Sequence, residues 1–329
     1  MSNNIFIMNS CATSSSKSTS SSPFYLGKIE ELQNYLAKTY IETPDTYVED
    51  RKFDCITRAL THFFSQKGYV KICTQNRFGI LSACEEPQTV AAIEYCGQSW
   101  PLPQTGQMWL EHAILTRPDI VGTFCETTSY REEKNIVPGR HFVSFPLFEF
   151  ETRGTYDDLV NLVSELVVFL GYPKPIHCDY SETAEKYNTP EIEHEHEKQM
   201  CIDNNTSVCL LKMFKASSNP FWNMSYTEDG KLAYKVDVIM SGMEAIGCAE
   251  RSCDNEGMEK RFYEICDGEY HQLIFNKFGS ERTIAELKAF LALPKFRRFG
   301  GGIGVTRLIS SLEKEGLMEP LMKRFSPQS

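Results

Sequence analysis

Residues 300–307, Gly-Gly-Gly-Ile-Gly-Val-Thr-Arg, set glycines and a guanidinium directly ahead of an apolar-periodic segment, Leu308 to Leu317. Glycine has no Cβ, so backbone around Gly302 and Gly304 can come within contact distance of a flat ligand, and Arg307 offers a planar, permanent cation to a phosphate. The run reads as a nucleotide site. It is not a P-loop, because no Gly-Lys-Ser/Thr follows, nor a dinucleotide fingerprint, because Val305 stands where the third glycine would be. Taken alone, such a run more often marks a flexible loop before a helix. A second candidate is the alternation from His141 to Glu151, which puts Phe145, Leu147, Glu149 and Glu151 on one strand face and Phe142, Phe148 and Phe150 on the other. Two carboxylates then point together.

The chain that must hold these groups has 329 residues, 41% of them apolar, enough for a substantial core in one large domain or two small ones. Its net charge is −10 and it has no long basic run, which disfavours an extended nucleic-acid interface. The twelve cysteines include no Cys-x-x-Cys pair, the expectation for reduced thiols in the cytoplasm. No apolar stretch approaches the ~18 to 20 residues of a membrane span. Residues 1–23, rich in Ser, Thr and Asn, read as a disordered leader, and residues 24–329 as a single domain.

Apolar residues at Phe53, Ile56, Leu60, Phe63 and Phe64 predict a helix closed by Gly68, with a strand from Tyr69 to Cys73. Thr155-Tyr-Asp-Asp158 resembles a capping box opening a helix with Leu159, Leu162, Val163, Leu166, Val167 and Leu170 on one face, ended by Gly171. Residues 173–206 are polar, contain three prolines and Glu193-His-Glu-His-Glu197, and read as a loop or insertion. Those histidines lack a His-Glu-x-x-His arrangement, so the run reads as solvated surface rather than a metal centre. Val208 to Phe214 and Leu232 to Ile239 predict strands, and Thr283 to Leu293 a late helix. Strands outnumber crossover helices, which predicts an α+β fold with a mainly antiparallel sheet flanked by helices.

Five segments, in the correct order along the chain, carry a family resemblance. Ser129-Tyr-Arg-Glu-Glu-Lys134, then Arg140-His141 and the strand to Glu151, looks like motif 2 of class II aminoacyl-tRNA synthetases, and Gly300 to Arg307 looks like motif 3. Asp237, Glu244 and Arg251, spaced by seven and seven, match an Asp, Glu and Arg block of the same family. Leu102-Pro-Gln-Thr-Gly-Gln107-Met-Trp-Leu-Glu111 and Ser82-Ala-Cys-Glu85 are similar to its Ser-Gly-Gln-Leu-Tyr-Leu-Glu and Ser-Asp-Cys-Glu segments. Over about residues 50 to 320 the chain resembles the catalytic domain of the aspartate/asparagine subgroup, and equally the ammonia-dependent asparagine synthetases that share it.

The resemblance implies adenylation of a carboxylate by ATP with Mg2+. Arg131 would then hold the α-phosphate and Arg307 the bent triphosphate or adenine, as the two catalytic residues. Glu133, Arg140 and His141 complete the ATP contacts, with Glu133 at the adenine amino group and His141 at a terminal phosphate. Asp237 and Glu244 supply hard oxygens for Mg2+. Glu85, Gln107, Glu149 and Glu151 are the substrate-side candidates, with Arg251 for the carboxylate or carboxamide of aspartate or asparagine.

The sequence also departs from the synthetase pattern. The anticodon-binding β-barrel that precedes the domain in this subgroup has no counterpart ahead of residue 50, Thr306 stands where synthetases have Glu before the motif 3 Arg, Gln75 replaces the motif 1 proline, and Ser144 replaces a motif 2 glutamate. These departures favour ammonia over tRNA as acceptor. The expectation is a homodimeric, AMP-forming aspartate–ammonia ligase with tRNA disfavoured as a partner. Transfer to another amine, an asparaginyl-tRNA synthetase paralogue, and a synthetase-derived binding or regulatory module are the alternatives.

Overall fold

The computed structural model describes residues 48–74, 76–83, 87–132, 142–218 and 221–326, all inside a compact unit from Asp45 to Ser329. The first described helix, α1 (Asp50–Gln66), begins where Glu49 accepts hydrogen bonds from the Arg51 and Lys52 amides, and ends ahead of Gly68 at φ +79°, a left-handed turn suited to glycine. Its apolar stripe is the predicted one. Phe64 is fully buried and stacks on Phe124, Phe148 and Phe150 at centroid distances of 6.2, 5.5 and 4.9 Å. Truncating it to alanine would cost about 3–5 kcal/mol.

The remaining elements follow in chain order. β1 (Val70–Lys71) precedes a hairpin of β2 (Ala92–Tyr95) and β3 (Gln98–Pro101), then α2 (Gln107–Thr116), β4 (Gly122–Tyr130), β5 (Ser144–Arg153) and α3 (Tyr156–Phe169). Next come β6 (Ile176–Asp179), α4 (Tyr180–Lys186), α5 (His194–Asp203), β7 (Val208–Lys215), β8 (Leu232–Met240) and β9 (Met243–Arg251). α6 (Asn255–Glu264), α7 (Glu269–Phe278), α8 (Ser280–Leu291), β10 (Arg298–Gly304), α9 (Val305–Lys314) and α10 (Met318–Phe325) complete the order. The Thr155 capping box is present at α3, with Thr155 and Asp158 each accepting from the other's backbone N–H.

Eight strands form one sheet in the order β1-β4-β5-β10-β9-β8-β7-β6, antiparallel except at its two outer pairings. The class is α+β, as the strand-rich pattern predicts. One face packs on α1, α3, α9 and α10 through the largest core, which takes Phe148 and Phe150 from β5 and Val236, Val238 and Met240 from β8. By alternation, Glu149, Glu151, Lys235 and Asp237 stand on the other face. That face is covered at one side by α2, around Leu110 and Cys125, and at the other by α4 and α5. The space between is the cleft. A separate core of α2, α6, α7 and α8 around Trp222 walls it from beside.

Residues 173–206 correct the loop expectation: they contain β6, α4 and α5. Their few apolar residues, Tyr180, Ala184, Met200 and Cys201, pack on Cys209, Leu211, Phe214 and Ile239, and this satellite core is too sparse to leave a clear periodic signal. The glycine-rich run also differs from a loop, since Arg298–Gly304 is an interior strand paired with both β5 and β9.

Candidate active site

A cleft of about 740 Å³ opens on the sheet face opposite the main core. The floor is built by cross-strand rows. Glu149, Gly302, Gly247 and Asp237 stand side by side on β5, β10, β9 and β8, so two glycines form a flat centre with a carboxylate on each side. Arg131, which follows β4, and Arg307, in the first turn of α9, both line this one cavity, together with Gln107, Glu149, Glu244, Arg251, Gly302 and Gly304. The Arg131 guanidinium lies 5.1 Å from the Phe145 ring centroid.

Glu244 and Arg251 are seven apart on one strand, an odd interval that regular alternation places on opposite faces. A register shift resolves this. Val238 pairs with Ile246 but Ile239 pairs with Glu244, so Ala245 is an extra residue in β9 and both charged side chains reach the cleft face. Glu244 is held by Arg307, whose Nη1 donates to the Glu244 carbonyl at 3.0 Å and lies 3.6 Å from its carboxylate.

Asp237 is nearly buried, and Lys235 Nζ reaches its Oδ2 at 2.7 Å. Burial pushes the Asp237 carboxyl up to about 7, with Lys235 opposing and Glu244 and Glu197 adding to the rise. Its Oδ1 is buried without a hydrogen-bond partner. A Cβ placed on Gly247 would stand 2.8 Å from Glu244 Oε1 and 3.6 Å from Asp237 Oδ1, so both oxygens converge over a spot that glycine keeps open. Hard oxygens around such a spot fit Mg2+. Among the described residues no group of three or more His, Cys, Asp or Glu side chains converges to hold a metal ion, so further ligands would be phosphate oxygens and water.

The other end of the cleft is pre-paired. Arg251 is 3% exposed, and its Nε and Nη2 each approach Glu151 at 3.2 Å. Glu151 is fully buried behind it, so the structure places Glu151 as the residue that aims Arg251 rather than on the cleft wall. Gly300 is obligatory here, because a Cβ would lie 1.8 Å from Glu151 Oε2. Burial pushes Glu151 up to about 8, against the pull of Arg251. Glu111 accepts from Gln107 Nε2 (2.9 Å), Asn223 Nδ2 (2.7 Å) and Arg298 Nε (2.8 Å). Burial raises it, but Arg298 and Arg251 more than reverse that and hold it below its ordinary range. Glu149 accepts from the Thr105 hydroxyl and, at 2.7 Å, from the Gly106 amide, fixing the start of α2 and with it Gln107.

Of the residues expected from sequence, the cleft gathers Arg131, Arg307, Gln107, Glu149, Glu244, Arg251, Gly302 and Gly304, with Asp237 beside Glu244. Glu85, Glu133, Arg140 and His141 lie outside the described residues. Sequence reasoning missed Arg298, Asn223 and Lys235, and gave Glu111 no role. The spacing of Gln107 and Glu111, four apart on one helix, was the available signal for the last.

A family model of tRNA synthetases class II (D, K and N) matches residues 50–316, and the chain belongs to that family. It is a class II synthetase-like ligase domain. Among solved structures it is similar to asparaginyl-tRNA synthetase from Pyrococcus horikoshii complexed with asparaginyl-adenylate, at a TM-score of 0.67 and 18% identity over 89% of this chain and 70% of that one. The Entamoeba histolytica asparaginyl-tRNA synthetase with the same adenylate gives 0.63 and 17% over 82% and 65%. The aspartyl-tRNA synthetase of that organism gives 0.60 and 18% over 85% and 57%. At these identities the likeness is one of fold. A comparison with curated proteins found no match. Among the described residues no helix is long and apolar enough to cross a membrane.

Proposed function

We propose that this protein is an ATP-dependent, AMP-forming ligase that adenylates aspartate and transfers it to ammonia, giving asparagine. The observation that carries the reading is that Arg131, Arg307, Glu244 and Arg251 line one glycine-floored cleft. Aspartate, ATP and ammonia yield asparagine, AMP and pyrophosphate. The side-chain carboxylate attacks the α-phosphorus and pyrophosphate leaves. Ammonia then attacks the acyl carbon, AMP departs with the bridging oxygen, and ammonia's spare proton goes to solvent.

Within that sequence Arg131 and Arg307 bind the phosphates and offset charge as it builds, which is worth more in a walled cleft than in water. Asp237 and Glu244 would hold Mg2+, which neutralises phosphate oxygens when bound. Arg251, aimed by Glu151, takes the carboxylate that does not react. Glu149 and Gln107 face the amino-acid ammonium. A net charge of −10 and Thr306 beside Arg307 support ammonia as the acceptor.

Charging of tRNA with asparagine is the second reading, favoured by the two asparaginyl-adenylate-bound neighbours. Purified protein with ATP, Mg2+ and either amino acid, assayed with ammonium or with tRNA, separates the two. Asparagine and AMP formed from aspartate only when ammonium is present is the expected result; AMP release that needs tRNA supports the second reading, and ADP as product contradicts both.

A further inference from the structure

α5 packs beside the acidic end of the site and meets it at one amide. Glu197, nearly buried on α5, accepts a hydrogen bond from the Glu244 N–H at 3.2 Å. Glu244 sits at the β9 bulge, where ladder bonding is interrupted and a peptide needs other partners to hold its orientation. Arg307 holds the carbonyl of that residue and Glu197 its amide, so Glu244 is gripped on both sides of its Cα. The contact is close. Gly242, in the β8–β9 turn at φ +87°, packs so closely on α5 that a Cβ there would lie 3.0 Å from the Lys198 Cα.

We propose that Glu197 is a positioning residue for the metal-binding end of the cleft: its carboxylate fixes the Glu244 peptide so that Glu244 Oε1 and Asp237 Oδ1 converge over Gly247. α5 thereby becomes a strut of the site rather than a solvated insertion. The inference rests on Asp237 and Glu244 serving as the divalent-cation ligands. Hydrogen-bond partners behind metal ligands typically alter metal affinity by about 10- to 100-fold when removed.

The test is Mn2+ binding, followed by the EPR signal of free Mn2+, for the full chain with ATP, in wild type and in Glu197→Ala, Glu197→Asp and Glu197→Gln. Thermal melting checks that each variant is folded. Ala removes the acceptor and Asp draws it back by one methylene, so both are expected to weaken Mn2+ binding by about 10-fold or more. Gln keeps an acceptor oxygen at full reach and is expected to bind Mn2+ as wild type does. The Mg2+ concentration for half-maximal ATP–pyrophosphate exchange should rise in parallel, while the KM for aspartate stays put.

Wild-type Mn2+ affinity in folded Glu197→Ala or Glu197→Asp overturns the inference. So does equal loss in Glu197→Gln, which would make charge the cause instead of the hydrogen bond. A wild-type protein that binds Mn2+ with ATP but exchanges pyrophosphate with no amino acid sinks the ligase reading alone, and the variant comparison in Mn2+ affinity still decides on Glu197.

Discussion

Both ends of the cleft take charged residues from β9, yet their charges are handled in opposite ways. At the Arg251 end two guanidiniums and two carboxyl groups are packed out of water, with Arg251 on Glu151 and Arg298 on Glu111. At the Asp237 end the Oδ1 is buried without a partner, and Arg307 and Glu244 stay partly exposed. Gly247 and Arg251 stand four residue steps apart on β9, about 13 Å of extended chain. On the proposed function the difference assigns work: a finished lattice would present one fixed cation to a small acidic metabolite, whereas the unfinished end would gain its remaining charges with the nucleotide and the divalent ion.

The largest expected effect falls on the finished end. Glu111→Ala leaves Arg298 buried without its carboxylate and should cost about 3–5 kcal/mol of stability, read from the denaturant midpoint. A loss below about 1 kcal/mol, the scale of an exposed pair, would show that this lattice is not pre-formed. Arg307→Ala should act the other way, lowering ATP–pyrophosphate exchange by about 10²- to 10³-fold with an unchanged melting temperature. If it melts early instead, the contrast between the ends fails.

The smallest effect is a pH dependence. Burial lifts Glu151 to about 8 in the folded chain, so the native state holds a proton that the unfolded chain has already lost above about 4.5. Its contribution to stability is present at low pH, declines as pH rises from about 4.5 to about 8, and is gone beyond that. Glu151→Gln cannot titrate, so its stability relative to wild type should improve across that window and level off above it. A constant difference from pH 5 to 9 would place the proton elsewhere.

Much of this contrast could be read in residues whose signals are local. The capping box at Thr155, the alternation that faces Glu149 and Glu151 together, and the guanidinium after the glycines all depend on neighbours within a few positions. The rest depends on pairing between distant strands. The bulge at Ala245, which lets Glu244 and Arg251 share a face, has no glycine or proline to announce it. Arg298 and Glu111 are 187 residues apart, and nothing in either segment names the other as partner. The polar surface of α4 and α5 hid a packed satellite core because only a handful of its side chains are buried.

Isotope transfer from aspartate tests the central claim most directly. With 18O in the side-chain carboxylate, ATP, Mg2+ and ammonium, attack on the α-phosphorus must carry one labelled oxygen into AMP as asparagine forms. The account predicts AMP bearing a single 18O. Label recovered in inorganic phosphate, with ADP as the nucleotide product, would contradict it.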